Sequence, residues 1–329
     1  MKKESTIITK KCLGCGAEMQ NTDNSKVGYV PYNNILEADY CQRCFKLKNY
    51  NEKVESEILV DEEKIIDVVN KSKSYAFFLI DFLNISNETI STFKKIKVNK
   101  TLIISKSDLI FKDINLDKIK DKLKSIYDIK DNIIFLSSKK NYNVKAIFSI
   151  LKKNNIKTSY ILGYTNAGKS TLINSLKEDN KIISSSMPNT TMDFINIKIN
   201  EFEIIDTPGF NLKNTFYKNK EYNLIKRINP VYFVSPINYQ VKDNQIFLIE
   251  DRLYLKGFDN NNITFYISNL IKIKKIYKDE DINYKEINVK DNSDIVIASL
   301  GFINVKKSCK LLINSDMIDV IDIRDSIIN

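Results

Sequence analysis

Between residues 60 and 210 two periods alternate along the chain. Short apolar runs rich in Ile and Phe, namely Tyr75–Ile80, Thr101–Ile104, Ile133–Leu136, Ser159–Leu162 and Phe202–Ile205, are bounded by polar residues. Runs of that length and content predict strands buried on both faces. Between them, Glu62–Lys71, Leu116–Tyr127, Val144–Lys153 and Lys169–Lys177 carry apolar residues at helical spacing. The alternation predicts an α/β domain built on a mostly parallel, helix-covered sheet.

From about residue 215 the texture changes. A helical stretch over Glu221–Arg227 leads to Pro230, and then come the short strand-like runs Val231–Val234, Gln245–Ile249, Arg252–Lys256, Ile263–Ile267, Ile295–Ala298 and Leu311–Ile313. These predict a β-rich C-terminal domain. The expected division is a four-cysteine zinc module over 1–52, the α/β domain over 53–214 and the β-rich domain over 215–329.

The cysteines give the first module its chemistry. Four of the five fall as Cys12-x2-Cys15 and Cys41-x2-Cys44. Two such knuckles complete a closed tetrahedral zinc site of the structural kind, with no position left for water or substrate. Cys309 stands alone in an apolar setting and reads as a core residue. There is no histidine anywhere in the 329 residues, so Ser-His-Asp and Cys-His nucleophile systems are excluded.

The strand Ser159–Leu162 runs into Gly163-Tyr164-Thr165-Asn166-Ala167-Gly168-Lys169-Ser170, and Thr171 onward continues with helical periodicity. This is the G-x4-G-K-S phosphate loop in its required strand–loop–helix setting. Gly163, Asn166, Ala167, Gly168, Lys169, Ser170 and Thr171 are the expected phosphate cradle, with Lys169 on the β and γ phosphates and Ser170 on magnesium. Downstream, Phe202–Ile205 ends in Asp206-Thr207-Pro208-Gly209. Asp206 is expected to hold magnesium through water, and the Gly209 amide to sense the γ-phosphate. Between the two motifs, Pro188-Asn189-Thr190-Thr191 offers a threonine to magnesium, Thr191 first and Thr190 second. Lys169, Thr191 and Gly209 are the residues expected to act in phosphoryl transfer.

Guanine selectivity needs an N/T-K-x-D element after a strand, and nothing beyond Gly209 fits. Upstream, however, Thr101–Ile104 ends in Ser105-Lys106-Ser107-Asp108, and Ile133–Leu136 ends in Ser137-Ser138-Lys139. Lys106 and Asp108 are expected to read the base, and Ser137 and Ser138 to support it. Both elements precede the phosphate loop, which is the order of a circularly permuted GTPase domain.

With those residues in place the chain resembles the YqeH-type circularly permuted GTPases. The likeness runs from Cys12-Leu13-Gly14-Cys15-Gly16 and Gln20, through Gly28-Tyr29 and Cys41–Leu47, to Asp294–Ile297 and Leu300–Ile303. It implies GTP hydrolysis coupled to maturation of the small ribosomal subunit, with rRNA as partner. The sequence departs from the family at three places. Ser105 replaces an Asn that bonds the base and braces the phosphate loop. Asn84 stands where an acidic residue is usual. A glycine-rich turn is missing around Ile249–Arg252.

Net charge of +10 suits a polyanionic partner, although lysine over-use alone also produces it. The Lys272–Lys278 stretch, with Tyr277 among the lysines, reads either as a nucleic-acid contact or as a solvated edge. No run approaches the roughly 20 apolar residues of a membrane span, and no secretory signal opens the chain, so a cytoplasmic protein without membrane or DNA partners is expected. Many GTPases orient water with a Gln after the switch glycine, where Phe210 stands here. Slow intrinsic turnover is therefore expected, with potassium at Asn166 or the ribosome supplying the missing charge. Two alternatives remain open at this level: a zinc-dependent RNA-binding assembly chaperone with a nearly non-hydrolysing GTP switch, and an ATPase.

Overall fold

A computed structural model describes residues 10, 12, 17–23, 28–35, 37–42, 61–110, 114–178, 182–186, 194–217, 221–230, 233–278 and 282–328. Its α/β part is a seven-stranded sheet. The strands are β1 (Tyr75–Asp81), β2 (Lys100–Ser105), β3 (Asn132–Phe135), β4 (Thr158–Gly163), β5 (Ile182–Ser186), β6 (Ile195–Ile199) and β7 (Phe202–Asp206). They lie in the order β3-β2-β1-β4-β7-β6-β5. The first five in that order pair in parallel, and β6 and β5 add an antiparallel edge. The chain enters at β1, winds outward to β3, returns beside β1 as β4, then crosses to the far edge at β5 and comes back inward through β6 to β7. The winding direction thus reverses between β1 and β4, and ligands of open α/β sheets lie in the crevice beyond such a reversal, at the strands' carboxyl ends.

Local sequence explains the helices. In α1 (Glu62–Ser72) the Asp61 carboxylate accepts from Lys64 N at 3.1 Å, and Lys73 stops the helix with φ of 56°. The segment α2 (Asn87–Lys95) opens on a Ser86/Thr89 capping box, a start signal of the usual S/T-x-x pattern with Thr in the third position. Asn115 caps α3 (Leu116–Tyr127) through the amides of Asp117 and Lys118. Next comes α4 (Ala146–Lys153), and α5 (Lys169–Glu178) follows the phosphate loop. Helix α2 lies outside the segments expected from periodicity. Among the described residues no helix is long and apolar enough to cross a membrane.

After α6 (Tyr222–Ile228) the chain is β-rich: β8 (Ile237–Gln240), β9 (Ile246–Ile249), β10 (Leu253–Lys256), β11 (Asn262–Ile267), β12 (Ile273–Ile276), β13 (Tyr284–Val289), β14 (Ser293–Ile297), β15 (Gly301–Val305), β16 (Cys309–Asn314) and β17 (Ile321–Asp325). Two five-stranded sheets, β12-β9-β10-β16-β13 and β17-β14-β15-β11-β8, share a core around Phe247, Phe265, Ile295 and Ile303. The strand expected at Val231–Val234 does not form at Phe233 and Val234; Val231 and Tyr232 lie outside the described residues. Pro230 and Pro236 bracket this segment and remove the amides a ladder would need. The Lys272–Lys278 stretch contains β12, an edge strand whose exposed Lys274 and Lys275 are the usual guard against further pairing.

The missing glycine-rich turn has a definite replacement. Arg252 N donates to Ile249 O at 3.1 Å across a tight turn in which Glu250 and Asp251 both take positive φ, 50° and 54°. Ion pairs hold it: Glu250 with Arg227 at 2.7 Å, and Asp251 with Lys274 at 2.5 Å.

The two cores meet. Val296, Phe302 and Ile327 belong to the α/β core, and Phe302 packs edge-on against Phe82 with centroids 6.1 Å apart. The fully buried Arg324 pairs with Asp294 at 3.3 Å and donates to Ile85 O at 2.6 Å. At the surface the Asn87 amide and side chain bind the Asp322 carboxylate at 2.6 and 2.7 Å.

Candidate functional site

The phosphate loop sits at the reversal point. Gly163 ends β4 with φ of 145°, and a Cβ there would lie 2.4 Å from Leu79 O of β1, so only glycine lets the two strands approach. Gly168 has φ of 90° with open space around it, and Asn166 takes φ of 63°. Lys169, buried, donates Nζ to Gly163 O at 2.7 Å and to Tyr164 O at 3.4 Å. Its ammonium therefore lies inside the loop. Ser170 and Thr171 are exposed at the start of α5.

The Asp206–Gly209 segment is strapped to this loop. Thr165 N donates to Phe210 O at 2.7 Å and Phe210 N to Gly163 O at 3.1 Å, while Thr207 Oγ1 donates to Ile161 O at 3.1 Å. Asp206 ends β7 opposite Ile161. A Cβ on Gly209 would stand 2.9 Å from Lys169 Nζ, so backbone and ammonium are neighbours. Phe210 is fully buried against Phe78 and Tyr164, and the Tyr164 hydroxyl bonds Thr92 Oγ1 at 2.8 Å. Burial pushes the Tyr164 phenol well above its ordinary range. The Phe210 ring is thus a core side chain turned away from the loop's open face. Thr190 and Thr191, the expected magnesium threonines, lie outside the described residues.

Beyond Phe210 the exit path is held by two carboxylates. Asn211 N donates to Glu62 Oε1 at 3.1 Å and Lys213 N to Glu88 Oε1 at 3.0 Å. Three residues later Phe216 N donates to Ala298 O at 3.0 Å, in the β-rich part.

The upstream motif comes to the same crevice. Ser105 ends β2, and its hydroxyl donates to Ala167 O of the phosphate loop at 2.7 Å and to Ile80 O at 3.2 Å. This corrects the expectation that Ser105 gives up the brace: a hydroxyl reaches the loop carbonyl, and what it lacks is a second donor for a base. Lys106 takes φ of 56° and pairs with Asp81 Oδ2 at 2.5 Å. Asp108 sits half-exposed in a 3-10 turn, and no hydrogen bond or ion pair engages its carboxylate among the described residues. Ser107 N donates to Leu136 O at 3.1 Å, which ties this turn to the Ser137–Ser138 loop. In that loop Ser137, buried, accepts from Lys140 N at 3.1 Å, and Ser138 is half-exposed. Residue type alone does not announce the Ser105 brace; the signal for it is a hydroxyl residue ending a strand two positions from the phosphate-loop strand.

Of the four expected zinc ligands, Cys12 and Cys41 are described and Cys15 and Cys44 are not. The two described cysteines, one from each knuckle, are brought together: Cys41 N donates to Cys12 Sγ at 3.1 Å, and both are buried. Cys12 N also donates to Ala17 O at 2.9 Å. A buried sulfur receiving a backbone N–H fits a thiolate ligand. Among the described residues alone, no group of three metal-binding side chains forms.

Comparison with known proteins agrees with this geometry. A family model described as "50S ribosome-binding GTPase" matches residues 158–269. That match starts at β4, while β1 to β3 of the same sheet precede it. The protein YqeH of Bacillus subtilis is 27% identical over 71% of this chain and 68% of its own length. GTPase Era of Mycoplasmopsis pulmonis is 33% identical over 39% of this chain, which spans about half (47%) of Era. The solved structure of YjeQ from Thermotoga maritima is 24% identical over 42% of this chain and 48% of its own, with a TM-score of 0.32. Phosphate loop and strand order are those of a P-loop GTPase, and the chain is similar to YqeH, with β1 to β3 placed ahead of its phosphate loop.

Proposed function

We propose that the chain binds and hydrolyses GTP as a ribosome-assembly factor acting on the small subunit and its rRNA. The observation that carries the nucleotide part is the Ser105–Ala167 hydrogen bond, because it sets the upstream strand end beside the phosphate loop. On this reading Asp108 accepts the two guanine donors, and Lys106 lies along the base. Lys169, the loop amides and the start of α5 hold the phosphates. Phosphoryl transfer of this kind is chiefly positioning and charge stabilisation. Lys169 offsets the charge that develops on the phosphoryl oxygens, and the Gly209 amide beside it reads the γ-phosphate. Ser170, Asp206 and Thr191 would hold magnesium, which neutralises the β and γ oxygens when bound. Cys12, Cys15, Cys41 and Cys44 would hold a structural zinc ion.

Phe210, buried, has no means of orienting water, so intrinsic turnover is slow, and potassium held at Asn166 or the ribosome itself supplies the rest. The same burial favours a second reading, an RNA-binding assembly chaperone in which GTP acts as a switch with almost no turnover. The matched family is described by the 50S particle, whereas the small-subunit assignment follows the YqeH resemblance. Hydrolysis of GTP and ATP by the full chain, measured in potassium or sodium and with 30S or 50S particles, separates these. GTP-selective hydrolysis raised by 30S supports the proposal. Binding of GTP with no stimulation by either particle favours the chaperone, and stimulation by 50S alone overturns the small-subunit assignment.

A further inference from the structure

Asp81 lies outside every motif discussed so far, yet it stands at the meeting point of the crevice. It ends β1, level with Ser105 of β2 and two residues beyond the Leu79–Gly163 pairing with β4. Its two oxygens do different things. Oδ1 accepts from Leu83 N at 3.0 Å and so forms the turn after β1, whereas Oδ2 holds Lys106 Nζ at 2.5 Å. The carboxylate is nearly buried and the lysine one-quarter exposed (9% and 24%), a setting in which a charge-assisted contact is not dissolved by solvent. Lys106 itself has a left-handed backbone, and the Asp81 contact fixes where its ammonium sits. The turn that carries Asp81 is in turn immobilised from the other side: Phe82 packs on Phe302, and Arg324 binds Ile85 O.

We propose that Asp81 is a positioning residue for guanine-nucleotide binding. It fixes the ammonium of Lys106, so that the lysine stem forms a rigid rail under the base, while Asp108 next to it stays unengaged and reads the base edge. This rests on the assignment of Lys106 and Asp108 to the base given above. The lysine tip is occupied by a protein carboxylate. Nucleotide affinity therefore depends on a residue that touches no nucleotide, and GDP and GTP are affected alike because the contact lies at the base end of the site.

The variant of choice is Asp81→Asn, which retains an oxygen for Leu83 N and removes the negative charge that faces the Lys106 ammonium. Fluorescent GDP and GTP analogues are titrated into the full-length wild type, Asp81→Asn, Lys106→Met, the double variant and Asp108→Asn. Asp81→Asn is expected to weaken both nucleotides about tenfold, the loss of one charge-assisted contact, with the melting temperature close to wild type. The double variant should bind no worse than Lys106→Met alone, a non-additivity that a purely structural role for Asp81 does not produce. If Asp81→Asn binds like wild type, or if its loss adds fully to that of Lys106→Met, the inference is overturned. Asp108→Asn is the separate control: unchanged guanine affinity there overturns the base-site assignment itself.

Discussion

The Ser105 hydroxyl offers a quantitative test of how the base strand supports the phosphate loop. Ser105→Ala deletes one oxygen at a position that is 2% exposed. It leaves Ala167 O without the donor now at 2.7 Å and Ile80 O without the one at 3.2 Å. An unmet buried carbonyl costs about 1–3 kcal/mol. One hydroxyl hydrogen shared by two acceptors, and the relief of desolvating the hydroxyl itself, place this case near the lower end, at about 1–2 kcal/mol. Where about 1 kcal/mol of that falls on the ordering of the loop, the dissociation constant for GDP rises about fivefold. Urea unfolding of the nucleotide-free chain reads the first quantity and titration of a fluorescent GDP analogue the second. Ser105→Thr keeps the hydroxyl and should match wild type in both. An alanine variant that unfolds at the same urea concentration and binds GDP equally well would refute the brace.

Gly209→Ala places a methyl 2.9 Å from the flexible tip of Lys169. Folding should survive, with a melting temperature near wild type, while steady-state GTP hydrolysis falls at least about tenfold as the ammonium is displaced. Burial raises the Glu62 carboxyl above its ordinary range, so the folded chain retains that proton over a window where the unfolded chain has lost it. Stability contributed by the group is then lost as pH rises from the ordinary glutamate value through the raised one. Glu62→Gln keeps an acceptor for Asn211 N, and its melting temperature should gain on wild type as pH rises above the ordinary glutamate value. Asp251→Gly relieves a left-handed residue and sacrifices only an exposed ion pair, for a net gain of about 0.5–1 kcal/mol in urea unfolding. Purified chain should contain one zinc ion by elemental analysis, and Cys12→Ser together with Cys41→Ser should remove it.

The α/β order is clear in the sequence because each buried strand is a compact apolar run and each phosphate-loop residue is fixed by its own neighbours. Helix α2 escapes such a reading, since Ser86-Asn87-Glu88-Thr89 starts it by a capping box rather than by a long amphipathic stripe. The Glu250-Asp251 turn escapes as well: the tight hairpin between β9 and β10 requires left-handed residues, and here Glu and Asp fill the places where glycine would announce it. Ser105 reads as a loss when the motif is judged by residue type. The distance between strand ends, which lets a short hydroxyl reach Ala167, is a property of the sheet.

If Ser105–Asp108, upstream of the phosphate loop, reads guanine, then exchanging the base and its partner together exchanges the preference. Guanine offers donors to the Asp108 carboxylate, whereas xanthine has a carbonyl where guanine has its amino group and prefers the mixed donor and acceptor of an amide. Competition of GTP and XTP for the wild type and for Asp108→Asn should show preference for GTP in the first and for XTP in the second. A variant that keeps the wild-type preference for GTP would mean that the base is read somewhere other than Ser105–Asp108.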